Sequence, residues 1–393
     1  MPTTEGIIAE FLSFSGLADR AKELPAWALL FHSPFARSGD ASSWIGGAPK
    51  APRDFEWPRG KDGKPLHFVA QIDLASLKPE PRTGKRPPGL PAEGALLAFI
   101  GRSHALRVLT ADQMKQAETS ALPADLGPIE ELGYFGKGTA FLRRTVTPVA
   151  YLDKGDGRPA FLPDRFKSPL DWIVNWGVAA LEAQNVIDSL EVDLRLGADF
   201  MPRYPALIAK GNVKQHIHDG FRHYGVVLDK APQLISALAA WRDLAASKPL
   251  DQEVDRDALR EILGMRRALH DEMHPHMSKF IVAGNAGAVW DKLVLKYRRL
   301  GDGEGYDELP AWCRAFVDMR ETGWRGHRLF GIEPEFPNNG EDLRGQDCVI
   351  SIAADSLLHT ESEHDYGFSI WQPRERTAKG QFDEGQFVRH CAV

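Results

Sequence analysis

Glycine and proline are distributed unevenly along this chain, and that unevenness limits where long helices can form. Residues 1–165 hold 17 glycines and 17 prolines, residues 166–320 hold 11 and 7, and residues 321–393 hold 8 and 3. Proline removes a backbone donor and glycine weakens helix interiors, so the first segment reads as turns joined by short strands. The middle segment has room for long helices. The last segment returns to strand-like runs. The 393 residues then read as a 1–165 half, a helical insertion over 166–320, and a 321–393 half that completes one α/β (α+β) domain.

Local patterns sharpen this. Ile7, Ile8, Phe11, Leu12 and Leu17 recur near helical spacing after Thr3 and Thr4, either of which can cap. Apolar runs predict strands at Ala26–His32, His67–Leu74, Leu96–Ile100 and Phe141–Tyr151, with Pro148 marking an end or an edge position. Ser168-Pro169-Leu170-Asp171 is a helix start, followed by an apolar stripe through Leu190. Further helices are expected at Gln233–Ala246, Arg256–His274 and Ala286–Arg299, and strands at Cys348–Ala353 and Gly367–Trp371.

Two stretches share an order of features. Trp44-Ile45-Gly46-Gly47 precedes Phe68–Asp73 and Leu96–Ile100, and Leu329-Phe330-Gly331 precedes Val349–Ala353 and Phe368–Trp371. A glycine turn feeding two buried strands, made twice, predicts pseudo-repeated mixed sheets that pack together.

These same residues resemble the YwqG-like family, bacterial proteins built on a domain of unknown function. The resemblance rests on Trp44-Ile45-Gly46-Gly47-Ala48-Pro49, Trp57-Pro58, Asp62-Gly63-Lys64-Pro65-Leu66 and Phe68-Val69-Ala70-Gln71-Ile72-Asp73-Leu74. It continues more loosely in His327-Arg328-Leu329-Phe330-Gly331, Tyr366–Trp371 and Gly380–Asp383. It implies a mixed α/β fold and no established activity. Some relatives are encoded near toxin systems, which suggests an immunity or antitoxin-like role. Where the family carries a second Gln-Ile-Asp, this chain has Ser351-Ile352-Ala353.

Gln71 and Asp73 share one side of a strand by its period of two. They either bind a ligand, or serve the fold, with Asp73 capping the next turn and Gln71 satisfying backbone groups. Gly46-Gly47 lacks phosphate-loop spacing and reads as a tight turn. Trp44 and Trp57, in the Gly/Pro-rich loop, are candidate exposed binding contacts. Trp172, Trp176, Trp241 and Trp290 fall on helical segments and read as core. His270 and His274 stand four apart, a spacing that chelates metal, with His216 and His218 as further candidate ligands in a strand or loop. Against this, Glu272 points away from the pair, and Pro275 makes His274 a helix-end residue.

The net charge of −6 argues against a broadly basic nucleic-acid surface. The run Lys296, Arg298 and Arg299 reads as a dipole complement. Three cysteines without a Cys-x-x-Cys fit a reduced compartment. With no signal-like leader and no spanning run, the cytoplasm is the default and no membrane association is expected. No Gly-x-Ser-x-Gly elbow or nucleophile signature occurs, and no cofactor is specified. The leading expectation is a non-catalytic module that binds a protein partner. The alternative is a metal-dependent enzyme using the middle histidines.

Overall fold

In the computed structural model, described residues are 24–32, 42–134, 138–154, 169–209, 211, 215–272, 289–290, 292–293, 296, 309–318, 322–323, 326–332, 343, 345–355, 358, 365–383 and 385–391. The segment expected to form a helix over Ile7–Leu17 lies outside them, as does most of the one expected over Ala286–Arg299. The first strands are β1 (Leu24–His32), β2 (Trp44–Ile45), β3 (Lys50–Ala51), β4 (His67–Asp73), β5 (Ala95–Ile100) and β6 (His104–Leu109). Helix α1 (Ala111–Lys115), β7 (Glu118–Thr119) and β8 (Arg144–Asp153) follow. The middle carries α2 (Pro169–Trp172), α3 (Trp176–Phe200), α4 (Tyr204–Ala209), α5 (Gln215–Ala246), α6 (Arg256–Glu272) and α7 (Ala311–Asp318). The chain then returns to β9 (Thr322–Gly323), β10 (Arg328–Phe330), β11 (Gln346–Ala353), β12 (Asp365–Pro373), α8 (Arg374–Ala378) and β13 (Gln386–Cys391).

Two compact units result: residues 1–163 with 299–304 and 322–393, and residues 164–298 with 305–321. The first holds an 11-stranded sheet in the order β13-β12-β11-β10-β1-β8-β2-β4-β5-β6, with β9 also on β1. Every described strand pair is antiparallel. This corrects the expectation of mixed sheets packed on each other. β1 and β8 pair from Leu24↔Asp153 to Phe31↔Val146 and fuse the strands into one sheet. Pro148 lies inside β8, opposite Leu29, where β2 no longer runs alongside, because β2 pairs with Arg144 and Thr145. Its missing N–H therefore breaks no ladder bond.

The strand order is mirrored about β1–β8. Outward from β8 come β2, β4, β5 and β6; outward from β1 come β10, β11, β12 and β13. Trp44 pairs with Gln71 in one arm and Arg328 with Ser351 in the other. Each inner strand ends in two left-handed residues, Gly46-Gly47 (φ 74° and 72°) and Phe330-Gly331 (φ 54° and 91°). Each arm also bulges two residues before that pairing, between Phe68 and Ala70 and between Cys348 and Ile350. One apolar core runs through both arms, including Trp27, Phe31, Ile72, Leu96, Leu329, Ile350 and Phe368. Burying each such side chain contributes roughly 1.5–3 kcal/mol.

The turn after β10 is held by buried charge. Arg328 donates to Asp153 at 2.6 Å, and Asp153 also accepts the Ile332 N–H at 2.8 Å. Beside it, buried His327 faces Asp355 at 3.3 Å and accepts the Ala353 N–H at Nδ1.

The second unit is helical. The expected helix start at Pro169 yields one turn, α2. The chain then extends through Asn175 (φ −143°), which caps α3 by accepting the Val178 N–H at 2.9 Å. Helix α3 packs on α5, and Glu182 of α3 meets Arg266 of α6 at 2.5 Å in the interior. Trp172, Trp176, Trp241 and Trp290 are buried. Helix α5 begins at Gln215, which corrects the strand-or-loop reading of His216–His218. No helix among the described residues is long and apolar enough to cross a membrane.

Candidate functional site

A pocket of about 540 Å³ opens on the first unit, beside β4 and under α1. The bulge in β4 creates its floor. Strict alternation would put Phe68 on the face opposite Gln71. The extra residue at Val69 shifts the count by one. Phe68, Gln71 and Asp73 then share a face, opposite Phe99, Leu97 and Ala95 of β5. Val69, Ala70 and Ile72 turn to the main core instead.

Gln71 is 1% exposed. Its Oε1 accepts the Lys50 backbone N–H at 2.8 Å, and its Nε2 has Met114 Sδ at 3.9 Å. A backbone N–H can only donate, so this bond fixes which end of the amide is oxygen. Asp73 caps the turn at Leu74–Ser76, its Oδ1 accepting the Ala75 N–H at 3.0 Å, while its own N–H donates to Ser43 Oγ at 2.9 Å. Both residues therefore do structural work and also line the pocket. Glu93, Lys50 and Lys115 line it too. Lys115 is engaged with Asp112 at 2.8 Å.

Trp44 also lines the pocket but is buried at 3% exposure, which corrects the expectation of an exposed contact. Pairing with both β4 and β8 draws it in. Its indole N–H donates to Ala48 O at 3.2 Å, and the Arg143 guanidinium lies 4.8 Å from its ring. The Gly46-Gly47 turn is tight as expected: a Cβ on Gly46 would sit 2.1 Å from Leu142 O. Trp57 is half-buried and packs on the cluster that holds Trp44 and Ala95, but it does not line the pocket. It donates to Leu66 O at 2.8 Å and packs edge-on against Phe99 at 5.4 Å.

The structure thus brings Trp44, Gln71 and Asp73 together and leaves Trp57 in the adjoining aromatic cluster. Sequence reasoning missed Ser43, Lys50, Glu93 and Met114. Each comes from a different segment of the chain, and no local pattern announces it. Ionisation nearby is shifted by burial. His67, donating to Thr139 O at 3.1 Å, is held below the usual histidine range, chiefly by burial. Burial pushes His104 down to about 4.

Of the metal candidates, His270 falls in α6 with its side chain outside the described set, and His274 lies outside the described residues. His218 bonds Tyr204 Oη at 2.8 Å. Among the described residues no group of three His, Cys, Asp or Glu side chains is placed to hold a metal.

Fold and site define an antiparallel-sheet unit with an open, polar-floored pocket, joined to a helical unit. Residues 43–154 match the family described as a domain of unknown function, DUF1963. That span runs from β2 to β8 and holds every pocket residue except Ser42. No curated protein matches the chain.

Proposed function

We propose that this chain is a YwqG-like, non-catalytic binding module that recognises a protein partner by admitting a segment of it into the pocket under α1. The observation that carries this reading is the double engagement of Gln71 and Asp73. Each is pinned by a backbone bond, yet each keeps a polar atom for the pocket: Gln71 its amide nitrogen and Asp73 its second carboxylate oxygen. An amide does not titrate near neutral pH. Groups held in this way orient a ligand rather than transfer a proton.

The same reading takes the mirrored strand order, the paired bulges and the paired left-handed turns as two copies of one half, 1–165 and 321–393, with 166–320 inserted between them. The pocket belongs to the first copy. At the matching register the second has Ser351 and Ala353, and Arg328 in place of Trp44. An immunity or antitoxin-like role fits a module of this kind.

Capture from cell extract by the full chain and by Ala111→Trp, which fills the pocket mouth, tests the reading. A specific partner retained by the native chain and lost by the variant supports it. Equal capture by both, or no specific partner, overturns it.

A further inference from the structure

The pocket floor is electrically asymmetric. At one end stands Gln71, with Lys50 bonded to it through its backbone N–H. The orientation of the Gln71 amide is fixed, so its Nε2 presents donors inward. Its contact there, Met114 Sδ at 3.9 Å, is a weak acceptor. A buried amide donor left with a thioether is under-satisfied, and Met114 sits on the short helix α1 with a flexible side chain that can yield. At the other end stands Asp73, one oxygen turned to Ala75 and the other unbonded among the described residues. Asp73 pairs with Ala95, two residues after Glu93. Neither Lys50 nor Glu93 makes an ion pair among the described residues. The lining therefore offers donors and a cation around Gln71 and carboxylates around Asp73, while the other lining cation, Lys115, is taken up by Asp112.

This rests on the pocket being the recognition site, and it names what the site reads. We propose that the pocket takes an extended partner segment of the form acid-x-base. Its carboxylate takes the Gln71 Nε2–H beside Lys50, displacing Met114, and its ammonium or guanidinium meets Asp73 and Glu93. The spacing agrees: Gln71 and Asp73 lie two residues apart on one strand face, about 6.8 Å, and so do side chains i and i+2 of an extended peptide. A segment of one sign would satisfy one end and meet like charge at the other.

The test uses the full chain, 15N-labelled, titrated with end-blocked pentapeptides. Ac-Ala-Glu-Thr-Lys-Ala-NH2 and its Lys-Thr-Glu reverse are compared with Glu-Thr-Glu and Lys-Thr-Lys versions. At least one mixed-charge peptide is expected to shift the Gln71 side-chain and Trp44 indole signals, binding about fivefold tighter than either uniform peptide. That is the ratio one partly exposed ion pair supplies. Glu93→Gln and Lys50→Met should each remove most of that preference. Equal affinities for all four peptides, shifts away from the pocket, or no shifts overturn the proposal. If the peptides fail while Ala111→Trp still abolishes partner capture, the acid-x-base assignment falls and the recognition site stands. If Ala111→Trp leaves capture intact, both fall.

Discussion

The side-chain oxygen of Gln71 accepts the backbone N–H of Lys50 at 2.8 Å, so a residue on the pocket floor also closes the loop that forms the pocket wall. Gln71→Leu keeps the volume but leaves that N–H without an acceptor. A loss of about 1–3 kcal/mol is expected in urea unfolding of the full chain.

Backbone geometry predicts a contrast between two turns. Gly46 and Gly63 share nearly the same left-handed φ, 74° and 75°. A Cβ on Gly46 would meet Leu142 O at 2.1 Å, whereas one on Gly63 meets nothing within 4 Å. Gly63→Ala should cost about 1 kcal/mol, the conformational penalty alone. Gly46→Ala should cost well over twice that, because the backbone at Phe141 and Leu142, just before β8, must move. Thermal melts of both variants at one pH check the ranking, and equal costs would remove the steric explanation.

Arg328 and Asp153 form a buried pair whose removal should be strongly asymmetric. Asp153→Leu leaves the buried Arg328 guanidinium without its carboxylate and frees the Ile332 N–H, so about 3–5 kcal/mol is expected. The double change Arg328→Met with Asp153→Leu should cost less than Asp153→Leu alone. A double-mutant cycle measures the difference.

Much of this fold is legible in the chain, and the misses share a cause. The apolar run His67–Leu74 marks β4 to within one residue, since a strand buried on both faces needs such a run. Asp73 as a cap is readable from its place before the turn. What cannot be read locally is what distant segments do. The eight-residue β1–β8 pairing joins parts of the chain some 120 residues apart, and it decides that there is one sheet rather than two. Trp44 reads as exposed from its glycine-rich loop and becomes buried because Gln71 and Thr145 flank it. The histidines at 216 and 218 read as strand or loop because His-Ile-His alternates, and the helix that contains them is fixed by packing of α5 on α3.

Acid should destabilise the sheet unit. His67 and His104 are held below the ordinary histidine value of 6.5 by burial, His104 at about 4. His32 is lowered as well, by burial and by Arg144. The unfolded chain takes up these protons first. The stability linked to them is complete above about pH 6.5 and is lost as pH falls toward 4. Glu80 extends the loss in the same direction. Burial opposes its ionisation, but bonds from Arg82 and Thr83 outweigh this and hold its carboxyl below the usual range. Urea midpoints at pH 7, 5.5 and 4.5 should fall in that order, and His104→Phe should flatten the decline.

Cys313 and Cys348 are buried, and burial pushes the Cys313 thiol up to about 12. Thiolate is the reactive species, so both should resist a thiol reagent at pH 8 in the native chain and react in guanidinium. Peptide mapping after labelling distinguishes these two sites from Cys391. Native labelling of Cys313 would contradict its placement.

The mirrored sheet has a consequence for synthesis. Trp27 pairs with Leu329, so about 300 residues emerge from the ribosome between one flank of β1 and the strand that covers it. At ~5–20 residues per second, that hydrogen-bonding edge waits on the order of 15–60 s for its neighbour. An apolar strand left unpaired for so long is a template for association with another nascent chain. Late closure, rather than weak packing, is where this protein is most exposed to misassembly, and truncation before Arg328 should yield aggregates rather than a soluble half.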